Sequence, residues 1–482
     1  MSVQQASLND PVVSVFGEPS EESPLLKDNQ ILLSSGSIDP SYRGPKLISS
    51  GTYEESYRTG KNSVFGAALI MIKACIGAGM LAFPAVYGAA GGIVVCIILQ
   101  VVFVICAAIS LMVLAYSSDI HQTVTYETAV ASLCGNKVKI ACLVVIMGYG
   151  LGGCITYLVV LGDQFDKVME LIFETDYFCQ HWFLQRRFTV SVSSILFILP
   201  LCFPAKIEVL KYSSFFGALA NSYIAVIVIV QYYITDTSNR GPITTQPASW
   251  MDIFVAFPVI FFAFQCHMSS VPVYCTLKKR TLREYSKVVG LAFTVIFTIY
   301  TVTGIYGYLT FGNSVQGDIL MSYGSDDIKV TVARIMLVIS LLATYPILHY
   351  CARAALQGLF KDCGGMMSYI VVYREKYFRI TITLLWFTTT LLAALFIPNI
   401  MMIISVVGAF AAAFILFFPG LCLLQCGLQN TTTSRYVNRF FLCLGVVFTV
   451  LGAFVFGESI TMAIMKDIQG TYPGAGATSP CQ

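Results

Sequence analysis

Residues 73–84 read Lys73-Ala74-Cys75-Ile76-Gly77-Ala78-Gly79-Met80-Leu81-Ala82-Phe83-Pro84, inside an apolar run that begins near Val64. Gly77, Gly79 and Pro84 are poor helix formers, yet the run is long enough to cross a bilayer. In hydrocarbon, backbone freed from its helix is tolerated only where protein or a watery cavity receives its polar groups. Small residues at 77–79 let the chain turn and bare its N–H groups. The half-helix beyond the turn adds the positive end of its dipole, which suits a carboxylate. The competing reading is close helix packing through small residues.

A second stretch matches the first. Phe264-Gln265-Cys266-His267-Met268-Ser269-Ser270-Val271-Pro272 places Gln265, His267, Ser269 and Ser270 within another apolar run. Such residues are costly in hydrocarbon unless they line a site. The two stretches fall in the first and sixth predicted spans. If spans 1–5 and 6–10 are repeats, the interruptions correspond, which is the best sequence pointer to a transporter's central site. Gly77, Ala78, Gly79, Gln265, Cys266 and His267 are therefore the candidate substrate-binding residues. For His267 the alternative role is holding the break in shape.

The composition agrees. Of 482 residues, 56% are hydrophobic and 11% charged, and the mean hydropathy is +0.75. A soluble domain carries roughly 25% charge. A soluble enzyme, a secreted disulfide scaffold and a disordered chain are thereby excluded. The net charge of +3, without a basic run, predicts no nucleic-acid partner. The 16 cysteines are scattered, mostly through apolar runs, and have no metal-site spacing. Cys179, in a predicted outside loop, has no clear partner.

Eleven spans are predicted, near 64–86, 91–116, 140–163, 188–204, 212–233, 252–273, 288–311, 329–356, 380–397, 399–425 and 439–458. With the N-terminus in the cytosol, only Lys167, Arg186, Arg187, Arg240, Lys329 and Lys466 of the 29 basic residues fall outside. Lys73, Arg334 and Arg353 fall within spans, and all others lie inside, as the positive-inside rule requires. The sequon at Asn430 is then cytosolic and unmodified. The expected organisation is a disordered cytosolic tail (1–62), a transmembrane transporter domain (63–460) and a short outside or lumenal tail (461–482). The first tail lacks the apolar core of a signal peptide.

Gly77-Ala78-Gly79, Gly162-Asp163-Gln164, Ala248-Ser249-Trp250, Phe264 to Pro272, Tyr308-Leu309-Thr310-Phe311-Gly312 and Phe418-Pro419-Gly420-Leu421-Cys422-Leu423 occur in a telling order. Together they resemble the sodium-coupled neutral amino acid transporters of the amino acid/auxin permease superfamily, over about residues 63–460. The resemblance implies an all-α membrane protein with a LeuT-like five-plus-five inverted repeat and an added C-terminal helix. It implies alternating access and transport of small neutral amino acids, glutamine prominent among them. The substrate carboxylate would lie on the backbone at Gly77–Gly79 and its amino group near the sixth span. No cofactor is implied beyond a coupling ion, sodium or a proton.

Coupling is where the sequence departs from that pattern. Family members commonly carry an Asn four residues before the first glycine of the break, contributing to a sodium site with a Thr on helix 8. Thr344 matches the Thr, as a sodium ligand, but the Asn position is Lys73. Sodium wants oxygen ligands. Like charges 4 Å apart repel by about 4 kcal/mol at an effective dielectric of 20. Three readings follow. The Lys73 ammonium stands in for sodium; or a buried Lys73 carries a proton through the cycle; or it snorkels to the interface while sodium binds elsewhere.

Other polar residues in spans read as structural: Asp163 and Glu458 at span ends, Arg353 as an inner anchor, and Gly148, Gly150, Gly152 and Gly153 in packing. No nucleotide-binding motif is present, so primary active transport is not expected. The rivals are an amino acid sensor signalling through the tail and an ion channel. Glu21-Glu22-Ser23-Pro24-Leu25-Leu26 resembles an acidic dileucine sorting signal read by clathrin adaptors. Lysosomal or endosomal residence therefore competes with the plasma membrane. Deleting residues 1–62 should move the protein from endolysosomes to the cell surface, measured by surface biotinylation. An unchanged distribution sinks the sorting reading.

Overall fold

The computed structural model describes residues 60 and 62–469, except 174–179, 205–210, 237, 239, 364–370, 372, 398–399 and 430–433. The dileucine pattern at Glu21–Leu26, Cys179 and the Asn430 sequon lie outside the described residues, as do most of 1–62 and residues 470–482. The described chain is helical. Its one bridge pairs Asn62 with Leu277.

The helices are α1 (Val64–Cys75), α2 (Gly79–Ala89), α3 (Ile93–His121), α4 (Tyr126–Cys134) and α5 (Asn136–Ile172). Then come α6 (Arg186–Ser193), a π turn, α7 (Leu199–Cys202), α8 (Lys211–Ile234) and α9 (Trp250–Ala263). A 3₁₀ turn at His267–Ser269 leads into α10 (Ser270–Cys275), α11 (Leu282–Phe311), α12 (Ile319–Ser322) and α13 (Ile328–Cys363). The last are α14 (Glu375–Phe396), α15 (Ile400–Ala412), α16 (Phe418–Leu428) and α17 (Arg435–Gln469), with a π turn between α15 and α16. Among the described residues 9 stretches are long and apolar enough to cross a membrane, or 10 if α1 and α2, bent by 62°, count as one. The span expected at 188–204 is a shorter helical run, α6 to α7, interrupted by its π turn at Ser194–Ile198.

Local chemistry sets the ends. Ser63 accepts from the Gly66 N–H at 3.2 Å and starts α1. Ser249 and Asp252 form a reciprocal capping box at α9. Thr281 caps α11 through the Glu284 N–H. α11 ends at Gly312, whose φ of +57° few L-residues adopt. A Cβ there would stand 2.3 Å from the Pro242 carbonyl oxygen.

Small residues bring the helices together. A Cβ added to Gly150 or Gly153 of α5 would stand 2.7 Å from Ala352 or 2.5 Å from Leu348 of α13. At Gly408 of α15 it would meet the Pro258 carbonyl of α9 at 2.0 Å. The glycines of α5 are thus packing residues, as the sequence suggested. Arg353 donates to the carbonyls of Cys202 (2.9 Å) and Pro204 (3.1 Å), tying α13 to the end of α7.

A polar network joins α5, α6, α12 and α13 at the opposite end of the bundle. Arg186 pairs with Asp163 and lies 3.3 Å from Asp166. Gln164 Nε2 donates to Asp318 Oδ2 at 2.7 Å, and the Leu320 N–H donates to Oδ1 at 2.9 Å. Arg334 holds the carbonyls of Leu320 and Tyr323, both at 2.9 Å. Asp318 is only 2% exposed. Burial, and then the Asp163 carboxylate, push its pKa up to about 7, against the pull of Leu320, Arg334 and Gln164. An unfolded Asp titrates near ~3.9. Between about pH 4 and 7 the folded chain therefore holds a proton that the unfolded chain releases, so stability falls as pH rises through that window. The thermal midpoint in detergent should drop between pH 5 and 8. Asp318→Asn should flatten that slope, and an unchanged slope would remove Asp318 as its source.

Candidate functional site

In α1–α2 the helix stops at Cys75 and restarts at Gly79, leaving Ile76, Gly77 and Ala78 between. In α9–α10 it stops at Ala263, and Phe264, Gln265 and Cys266 precede the 3₁₀ turn. The two breaks face each other. The Tyr300 hydroxyl of α11 lies 2.9 Å from the Cys75 carbonyl oxygen and 3.0 Å from that of Ala263. Cys75 Sγ donates to the same Ala263 carbonyl at 3.1 Å. Asn221 of α8 donates to the Ile76 carbonyl at 3.1 Å. The terminal carbonyls of both half-helices are thus received by side chains, as a bilayer demands. Tyr300 is fixed by stacking on Phe83 at 4.7 Å and by an edge contact with Phe264 at 5.2 Å.

The two glycines do different work. A Cβ on Gly79 would stand 2.9 Å from Ala263 Cα, so Gly79 lets the half-helices touch. A Cβ on Gly77 would meet nothing nearer than the Tyr157 hydroxyl at 3.9 Å. That leaves room between the break and α5. Ala78, the N-cap of α2, supplies no capping side chain. The Met80 and Leu81 N–H groups turn back on the Gly77 and Ala78 carbonyls, both at 3.1 Å, and a helix start leaves its first N–H groups without a partner four residues earlier.

At the second break, Gln265 Nε2 is buried with no hydrogen-bond partner among the described residues. Cys266 is buried, and its thiol meets that of Cys75. His267 is fully buried, with Nε2 3.3 Å from the Ala107 carbonyl of α3. It clamps the break to α3.

Lys73 and Thr344 lie on neighbouring elements. A Cβ on Gly217 of α8 would stand 3.8 Å from Lys73 Cε and 3.0 Å from Ser340 Oγ. Thr344 Oγ1 donates to the Ser340 carbonyl, one turn earlier on α13, at 2.7 Å. Lys73 Nζ is buried and unpartnered among the described residues, so in this conformation the ammonium is inside the protein. No group of three or more His, Cys, Asp or Glu that could hold a metal is found among the described residues.

Sequence reasoning missed Tyr300, Tyr157 and Asn221. The tyrosines stand in aromatic-rich spans and carry no local signal. Asn221 had one, an amide in an apolar run. Gly79→Ala should lower thermal stability, because its Cβ meets backbone. Gly77→Ala should leave stability unchanged yet weaken substrate binding, measured by ligand-induced thermal shift. Equal stability loss in both variants would contradict the division of roles.

A family model described as transmembrane amino acid transporter protein matches residues 60–465. The chain is 41% identical over 412 residues to sodium-coupled neutral amino acid transporter 7 of Danio rerio, covering 85% of this chain and 89% of that protein. The same transporter of Homo sapiens is also 41% identical, with the same coverage. Putative sodium-coupled neutral amino acid transporter 8 of Xenopus tropicalis is 34% identical over 414 residues, 84% of this chain and 94% of that protein. Among solved structures, MhsT in complex with L-phenylalanine superposes with a TM-score of 0.50 at 14% identity, over 83% of this chain and all of that one. That likeness concerns the fold alone, which is LeuT-like. The relatives are transporters, not enzymes. This multi-pass membrane protein belongs to the transmembrane amino acid transporter family.

Proposed function

We propose that the chain is a secondary active transporter of small neutral amino acids, glutamine-like in preference, working by alternating access. The observation that carries this is the paired breaks, whose carbonyl ends share Tyr300 while N–H groups start at Gly77–Gly79. The substrate carboxylate would rest on that backbone. The amino group would meet the sixth-span break, where Gln265 and Cys266 stand. The full topology is eleven spans, five plus five plus one, with a cytosolic N-terminus.

Polar bonding supports rigid-body rocking. Gln100 of α3 donates to Tyr87 of α2 at 2.8 Å and accepts from Thr301 of α11 at 2.9 Å. Ser270 of α10 bonds Tyr285 of α11 at 2.8 Å. Asp119 of α3 bonds Tyr274 and Arg280. Asn62 exchanges backbone bonds with Thr276 and Lys278, both at 3.0 Å. These ties hold spans 1, 2, 6 and 7 as one body. A second set holds the others: Arg353 with Cys202 and Thr383, and Tyr345 with Thr390. Between α9 and α15 the backbones approach closely at Pro258 and Gly408, a close contact across which one body could slide on the other.

For coupling, the buried, unpartnered Lys73 ammonium supports its standing where the resemblance puts sodium. Transport is then uncoupled or coupled to protons; the rival reading, a snorkelling Lys73 with sodium as the coupling ion, is supported by the names of the sodium-coupled relatives. Endolysosomal residence rests on the dileucine pattern alone. Glutamine uptake into proteoliposomes, with sodium and proton gradients imposed separately, tests both parts. We expect the proton gradient to drive wild-type uptake, the sodium gradient to leave it near background, and Lys73→Asn to move dependence towards sodium. Sodium-driven uptake by the wild type would sink the Lys73 reading but keep the transporter. No uptake under either gradient, with an active reconstitution control, would sink the transporter reading in favour of a sensor.

A further inference from the structure

An apolar groove of about 740 Å³ lies between α3, α11, α16 and α17; its lining residue Phe293 is in edge contact with Phe264 of the second break, at 6.2 Å between ring centres. Its walls include Ala108 and Met112 of α3, Gly290 and Phe297 of α11, Leu423 of α16 and Phe441 of α17. The volume is that of a small-molecule site. The polar side chains on its wall are turned back on their own helix: Ser286 donates to the Arg283 carbonyl at 2.9 Å and Thr294 to that of Gly290 at 2.8 Å. Gly290 is the informative position. It is exposed, and a Cβ there would meet nothing within 4 Å. A glycine inside a helix costs about 1 kcal/mol relative to alanine, and here no neighbour requires it. What it provides is depth in the groove.

One end of the groove is basic. Arg283 lies between the lining residues Leu282 and Ser286, and Lys287 follows them. Arg439 precedes the lining residues Phe440 and Phe441, and Lys278, Lys279 and Arg280 precede α11. The acids nearby are committed, Asp119 to Arg280 and Glu284 to Lys287. Arg283 and Arg439 are exposed, and no carboxylate lies within ion-pair distance of either among the described residues. An apolar slot whose lining residues at one end are flanked in sequence by exposed, unpaired Arg283 and Arg439 matches a ligand with a long apolar chain and an anionic head.

We propose that this groove is a binding site for one anionic glycerophospholipid, its acyl chain lying along Gly290 and Phe297 and its headgroup at Arg283 and Arg439. The basic end is the one read as cytosolic, and the cytosolic leaflet is the one rich in anionic lipid. The groove spans the boundary between the two bodies, with α3 and α11 on one side and α16 on the other. A lipid seated there binds the conformation that forms the groove better than one that does not. It therefore shifts the transport equilibrium by that difference.

Native mass spectrometry of the whole protein, exposed to an equimolar mixture of phosphatidylcholine, phosphatidylserine and cholesterol, tests the site. We expect phosphatidylserine to be retained preferentially. Gly290→Leu should fill the slot and abolish that retention while preserving the thermal midpoint. Arg283→Gln with Arg439→Gln should keep lipid in the slot but lose the preference, by about fivefold for each basic residue removed. Equal retention of phosphatidylcholine and phosphatidylserine by the wild type would overturn the headgroup assignment. Retention of phosphatidylserine by Gly290→Leu would place the lipid on the basic rim alone, and selective retention of cholesterol would give the groove to a sterol; either result overturns the proposal. Should Gly290→Leu fail to fold, the paired arginine variant decides, because a preference unchanged by it defeats the proposal.

Discussion

Hydrocarbon does not solvate a peptide group, and that constraint governs the centre of this molecule. A membrane helix interrupted at Gly77 and again at Gln265 leaves carbonyls and N–H groups that water cannot reach. The chain resolves the carbonyl side with three side chains from three helices: Tyr300, Cys75 and Asn221. Each must arrive at a fixed place. Tyr300 is accordingly stacked on Phe83 and held edge-on by Phe264, and Gly79 clears the space in which α2 meets α9. The N–H side of the first break is answered differently, by a half-helix start without a capping side chain. Two of those N–H groups, of Met80 and Leu81, turn back on the Gly77 and Ala78 carbonyls, both at 3.1 Å.

Much of this was legible in the sequence because the bilayer magnifies the signals. Apolar runs of about 20 residues announce themselves. A glycine pair or a polar cluster inside such a run has few innocent explanations. The motifs beyond the two breaks proved to be joints. Gly162-Asp163-Gln164 is where α6 and α12 dock on α5, through Arg186 and Asp318. Ser249-Trp250 carries the capping box of α9. Tyr308 to Gly312 closes α11 against the loop at Thr244, whose N–H donates to the Tyr308 hydroxyl at 2.8 Å. Gly420 lets α16 lie on α17, where its Cβ would stand 2.6 Å from the Thr449 nitrogen. What stayed hidden was the long-range pairing. Tyr300 is one tyrosine among 26, and only the assembled fold aims it at both breaks. The span at 188–204 corresponds to a helical run from Arg186 to Cys202 that contains a π turn at Ser194–Ile198.

His267 has its two ring nitrogens in different circumstances. Nε2 lies 3.3 Å from the Ala107 carbonyl of α3, while the buried Nδ1 has no hydrogen-bond partner among the described residues. It belongs to the set of bonds that fasten α3 to the half-helices. The bond ties the interruption in the sixth span to the second span.

Lys73 stands in the last turn of α1, four residues before Gly77 of the break, and its Nζ lies buried near the contact of α8 with α13 without a partner among the described residues. A buried charge without a partner is expensive, and a partner of opposite sign offsets that cost when the two are close. On the proposed reading a neutral amino acid would bring a carboxylate, and its own ammonium with it, to the neighbouring break. A sodium ion at the Lys73 position would meet a positive charge already there, which electrostatics disfavours. The relatives named as sodium-coupled point the other way, so the two readings of Lys73 divide on where its ammonium stands during transport.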